Sequence, residues 1–79
     1  MDIKELITID NEILGGQTVF KGTRVPIESL FDHLEAGVSL DDFLEDFPTV
    51  TKEQAVALLD LANKLLNIKN IDQLYAAVA

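Results

Sequence analysis

Apolar residues recur along this chain with two periods, and the change falls at Ile27. Before it, Leu6-Ile7-Thr8-Ile9-Asp10 carries β-branched residues at period two and predicts a short strand. Thr18-Val19-Phe20-Lys21 predicts a second strand, stopped by Gly22. Two strands alone are marginal in water, so they must lie on helices as a β-hairpin or pair with another subunit as a swapped strand pair. After Ile27 the period is helical. Ile27, Leu30, Phe31 and Leu34 share one face, with Glu28, Asp32 and Glu35 opposite, and Gly37 ends the helix. Ser39 with Asp42 predicts the cap of a short second helix, in which Leu40, Phe43, Leu44 and Phe47 point inward and which Pro48 stops. Thr51 with Gln54 is a capping box that opens the longest helix, running to Leu66.

On that helix Ala55, Leu58, Leu59, Ala62, Leu65 and Leu66 form one stripe, with Val56 and Leu61 on its margins. A helix on a monomer's surface needs an apolar stripe only about 100° wide. The wider arc here implies a second packing partner. One candidate is a C-terminal helix, predicted by the Asn70–Gln73 capping pair and by Ile71, Leu74, Tyr75 and Val78; the other is a dimer mate. Size raises association separately: the chain has 79 residues, of which 48% are hydrophobic and none is Cys. A chain this short buries only about 60–65% of its unfolded surface, and no disulfide can supplement the core. A homodimer is therefore expected. The expected fold class is mainly α, a trihelical helix-turn-helix domain with a short N-terminal β element and a C-terminal helix. The whole chain reads as a single domain: residues 6–27 form the β element and loop, 28–66 the three-helix core and 67–79 the extension. No secretory leader or membrane span is legible, which predicts a cytoplasmic protein without a membrane partner.

The net charge is -8, and residues 28–47 hold seven acids and no base. Such a run is commonly a solvated helical face; the sharper reading is a docking surface for a basic partner, carried by Asp41, Asp42, Glu45 and Asp46. Cations are scarce, and Lys21 and Arg24 are the close pair among them, on the loop Lys21-Gly22-Thr23-Arg24-Val25-Pro26. Gly and Pro concentrate there to hold a fixed backbone path. Arg24 has two readings: its planar fork anchors the loop to carboxylates of the acidic helices or to carbonyls, or it contacts a partner.

Catalysis is not expected from this inventory. His33 is the sole imidazole. Ser29 and His33 stand at i, i+4 and could imitate a nucleophile–base pair, but no oxyanion hole or pocket accompanies them. Asp32, His33 and Glu35 occupy adjacent helical positions that do not face one ion, so neither a metal nor another cofactor is predicted. The helix–Pro–helix unit could place the long helix in a major groove, with Lys52, Glu53, Gln54 and Ala57 toward the bases. Lys21, Arg24, Lys52 and Gln54 are then the candidate DNA-binding residues. Without an excess of cations such binding lacks the phosphate contribution that supplies most affinity, although a dimer would bring two Lys21/Arg24 loops to bear.

Ile9-Asp10, Ile13, Gly16, Val19-Phe20-Lys21-Gly22-Thr23-Arg24-Val25-Pro26-Ile27, Ala36-Gly37-Val38-Ser39 and Glu45-Asp46-Phe47-Pro48 together resemble the family known as domain of unknown function 433. The resemblance runs over about residues 6 to 66, and Gly-Thr-Arg-Val-Pro is its most specific part. Asn11 and Thr18 stand where the family commonly has Pro. The resemblance implies a homeodomain-like helical domain with a small β element, often dimeric. It further implies a VapB-like antitoxin of a type II toxin–antitoxin pair, neutralising a PIN-like ribonuclease toxin encoded nearby by protein–protein binding. In that role an Arg24 held on its loop could reach the acidic metal-binding centre of the nuclease. The alternatives are a DNA-binding autoregulator acting on operator DNA, and a dimerisation module.

Overall fold

Asp2 starts the fold: its carboxylate accepts from the Lys4 amide at 3.2 Å and caps a single helical turn, α1 (Ile3–Leu6), whose last residue, Leu6, the period-two pattern assigns to a strand. The computed structural model describes residues 2–67 and 71–78. Mainly helical, it contains α1, β1 (Ile7–Ile9), a short 3-10 turn (Leu14–Gly16), β2 (Thr18–Phe20), α2 (Ile27–Glu35), α3 (Leu40–Asp46), α4 (Lys52–Leu66) and α5 (Ile71–Val78). The strands pair antiparallel within the chain, Ile7 opposite Phe20, Thr8 opposite Val19 and Ile9 opposite Thr18. Within the chain they form a hairpin. Each strand is one or two residues shorter than predicted, because Leu6 belongs to α1 and Lys21 begins the turn.

The helix boundaries follow their capping chemistry. Ser39 Oγ accepts from the Asp42 amide at 3.1 Å. Thr51 Oγ1 accepts from the Gln54 amide at 3.1 Å while Gln54 Oε1 accepts from the Thr51 amide at 3.0 Å, a closed capping box. At the end of α2, Gly37 takes a φ of 85° that a side chain would resist; its amide donates to Leu34 and the Val38 amide to His33, closing the helix with both bonds of a Schellman motif.

Leu6, Phe20, Leu30, Phe43, Val50, Ala55 and Leu58 form one buried core, flanked by half-buried Ile27, Phe31, Leu34, Leu40, Leu44 and Phe47. The apolar faces assigned to α2 and α3 are therefore the buried ones, while Asp41, Asp42, Glu45 and Asp46 are exposed. Along α4 burial fades: Ala55 and Leu58 are buried, but Leu65 and Leu66 are exposed. α1 packs on α4 and supplies part of the second partner that the wide arc demanded, a contact with no local signal in the sequence. The predicted C-terminal helix is present as α5; its predicted Asn70 cap lies outside the described residues, and Tyr75 is exposed.

Candidate functional site

The Lys21–Pro26 loop is fastened by backbone groups, the Thr23 hydroxyl, the Gln54 amide and the Lys21 ammonium. Phe20 is fully buried, its amide donates to Val25 O at 2.9 Å, and its carbonyl accepts from both the Thr23 amide at 3.0 Å and Thr23 Oγ1 at 2.8 Å. Thr23 Oγ1 in turn accepts from the Val25 amide at 3.0 Å, and Val19 bridges to Pro26. Gly22 turns the chain at φ 78°, with open space where a Cβ would stand, so a side chain there meets conformational strain and no clash. Lys21 is held from three sides: its amide donates to Leu6 O at 3.0 Å, its ammonium to Lys4 O at 2.9 Å, and its carbonyl accepts Gln54 Nε2 at 3.0 Å.

Gln54 is thus a capping residue of α4 and a tether of the loop at once. This corrects its assignment as a base-reading residue, since both ends of its amide are already engaged. Gln54→Ala is expected to cost about 1–2 kcal/mol of stability by opening the cap and releasing Lys21 O. Urea unfolding of the two proteins measures it, and an unchanged midpoint would show the tether to be idle.

Arg24 is exposed, and among the described residues its guanidinium makes no hydrogen bond and no ion pair. The expected anchor to carboxylates or carbonyls is therefore absent. Thr23 and the Phe20–Val25 backbone bond hold the loop, leaving the fork free. Arg24 lines a surface depression of about 540 Å³ with Thr8, Ile13, Thr23 and Thr49. Thr49 belongs to the α3–α4 turn, so the cationic loop abuts the junction that follows the acidic helix.

The remaining candidates divide. Asp41, Asp42, Glu45 and Asp46 stay exposed, and none pairs with a base among the described residues, where the one ion pair is Asp60–Lys64 at 3.0 Å. Two of them, Glu45 and Asp46, occupy the last turn of α3, where the helix dipole disfavours negative charge. Lys52 lies apart from the Arg24 depression, in a shallow surface with Glu53, Val56, Ala57 and Asp60. His33 is half-buried, its Nδ1 2.6 Å from the Ser29 carbonyl and its ring edge-on to Phe43 and Phe47 at 5.3 Å each. Its contact with Ser29 runs through the backbone, so no nucleophile–base pair forms.

A family model for a protein of unknown function, DUF433, matches residues 7–62, which span both strands and all of the loop, α2 and α3. The chain belongs to the DUF433 family. A solved DUF433 member from Anabaena variabilis ATCC 29413 shares the fold with a TM-score of 0.66 at 26% identity, over 94% of this chain and 71% of that one. An uncharacterized protein, y4eO, of Sinorhizobium fredii (strain NBRC 101917 / NGR234) is 37% identical over 51 residues. That match covers 65% of this chain and 23% of the relative, so the chain matches about a quarter of that protein's length. Among the described residues, no helix is long and apolar enough to cross a membrane.

Proposed function

We propose that this DUF433 protein is the antitoxin of a type II toxin–antitoxin pair and neutralises a PIN-like ribonuclease by binding it, without catalysis of its own. One observation carries the reading: the single Arg of the chain is exposed, and unpaired among the described residues, on a loop that Thr23, Gln54 and three backbone bonds hold in place. A guanidinium carried on a held backbone can match a carboxylate cluster bidentately, with the side chain but not the loop left to order on contact. Such a cluster is what a nuclease uses to hold its catalytic cation. The acidic face of α3 supports the same reading. Four exposed carboxylates, two of them opposed by the helix dipole, present negative charge to the basic groove with which a ribonuclease attracts RNA.

The order of α2, α3 and the capped α4 supports a homeodomain-like helix-turn-helix reading, and with it operator binding as the second function. Charge disfavours that alternative: with Gln54 engaged, α4 offers Lys52 beside Glu53, and α3 brings four acids. A titration of ribonuclease activity from the adjacent gene's product separates the two. Stoichiometric suppression of RNA cleavage by the full chain is expected. A chain that leaves cleavage untouched yet shifts its own promoter DNA, with a steep loss of binding as salt rises, would favour the regulator.

A further inference from the structure

Three threonines and one cation line the Arg24 depression: Thr8 from β1, Thr23 and Arg24 from the loop, and Thr49 from the α3–α4 turn, with Ile13 and Val25 as apolar walls. The Thr23 hydroxyl is spent on the Phe20 carbonyl and the Val25 amide. The hydroxyls of Thr8 and Thr49, and the amides of Gly22 and Arg24, have no hydrogen-bond partner among the described residues. Donors therefore surround the guanidinium, and no carboxylate lines the depression. Leu14, one residue from the Ile13 wall, is 46% exposed and held at a φ of 48°. Strained backbone of that kind gathers where ligands are gripped, and here it holds out an apolar side chain. On the far side, Thr49 stands three residues after Asp46, the last residue of α3. Three residues span at most about 11 Å, so the exposed Asp46 lies within a few residues' reach of a chain seated in the depression.

We infer that this corner receives an extended peptide segment of a partner protein that carries two opposite charges. One acidic side chain, with an apolar neighbour, enters the Arg24 depression, and one basic side chain about three residues away lies over Asp46. Charge selects this occupant. A single guanidinium neutralises one carboxylate, and its fork with the flanking donors takes that group bidentately. A chain of net charge -8 then repels a second acid, a phosphate dianion or a nucleic-acid strand. The basic side chain answers the acidic end of α3, where Glu45 and Asp46 are exposed. Because the depression is open to solvent, a chain can enter and leave it, and the carboxylate belongs to a side chain and not to a chain end. The inference names the ligand of the Arg24 docking element proposed above and rests on that element, but it does not require the partner to be a nuclease.

Titration of the full chain with blocked hexapeptides, followed by heteronuclear NMR, tests the inference without any nuclease. The probes are acetyl-Ala-Leu-Asp-Ala-Ala-Lys-amide and the same residues in reverse order. One of the two is expected to bind with a Kd of about 1 mM and to shift the amide signals of Gly22, Arg24 and Thr49. Replacing its aspartate by asparagine should weaken binding about tenfold or more, and that difference should vanish on Arg24→Gln. Replacing its lysine by glutamine should weaken binding about twofold to fivefold, a difference that Asp46→Asn should erase. Inorganic phosphate at equal concentration should displace little of the probe. The inference is overturned if neither probe binds, if the asparagine probe binds as well as its parent, if either difference survives its matching variant, or if phosphate competes on equal terms. Probe binding beside an unsuppressed ribonuclease would discard the antitoxin reading alone; suppression without probe binding would discard this inference alone.

Discussion

Phe43→Ala is expected to destabilise the protein by about 3–5 kcal/mol and to lower its melting temperature by about 15 °C or more. Phe43 is fully buried, and it holds two rings together: Phe47 at 4.8 Å between centroids and His33 at 5.3 Å. Truncation removes the transfer energy of the benzyl group, leaves a cavity between α2 and α3, and strips two aromatic contacts worth about 0.5–1.5 kcal/mol each. A chain of 79 residues has a total stability of about 4–12 kcal/mol, so a large part of the population would unfold. Thermal unfolding by circular dichroism is the measurement. A change below about 1 kcal/mol would mean that the α2–α3 contact contributes little to holding the fold.

Arg24→Ala is expected to do the reverse, abolishing function in a folded protein. The guanidinium has no partner among the described residues, so its removal should alter stability by no more than about 0.5 kcal/mol. A charge-assisted bidentate pair in the centre of an interface is a hot-spot contact. Losing it should weaken the proposed nuclease complex by about 2–4 kcal/mol, or about thirtyfold to a thousandfold. Arg24→Lys should recover little of that, because an ammonium keeps the charge and loses the fork. Calorimetric titration against the nuclease, alongside urea unfolding of each variant, gives both quantities. Should the Ala variant bind as tightly as the parent, the Arg24 loop is not the docking element. If it unfolds instead, the side chain is structural.

How far the sequence reveals this architecture depends on the range of each interaction. Ser39 with Asp42, Thr51 with Gln54, and Gly37 after Leu34 are signals contained within four residues, and the helix ends they mark are where the structure puts them. The inward faces of α2 and α3 follow the same logic, since periodicity decides them locally. What the sequence hides is every interaction that joins distant segments. Gln54 meets Lys21 across 33 positions and Lys21 meets Lys4 across 17, so neither leaves a periodic trace. Reading Gln54 as a base contact came from its place in the first turn of α4, which is correct, without the loop beneath it. The surroundings of His33 are hidden for the same reason. Its position on α2 is legible, but the two phenylalanines that enclose it arrive from α3 and the turn after it. Leu14 escaped as well: it adopts a φ of 48° in the turn before Gly15, a conformation for which a leucine gives no compositional hint.

The double engagement of Gln54 also bears on how the surface behaves during encounter. One side chain closes the opening turn of the longest helix and clasps the carbonyl of Lys21, so fraying at either place loosens the other. Folding and preorganisation are therefore a single event here, and an incoming molecule meets a guanidinium whose mounting is already frozen. Recognition through this corner should show a small entropic penalty and little dependence on loop length. Any substitution that melts the first turn of the helix would blunt recognition from a distance, without touching the contact itself.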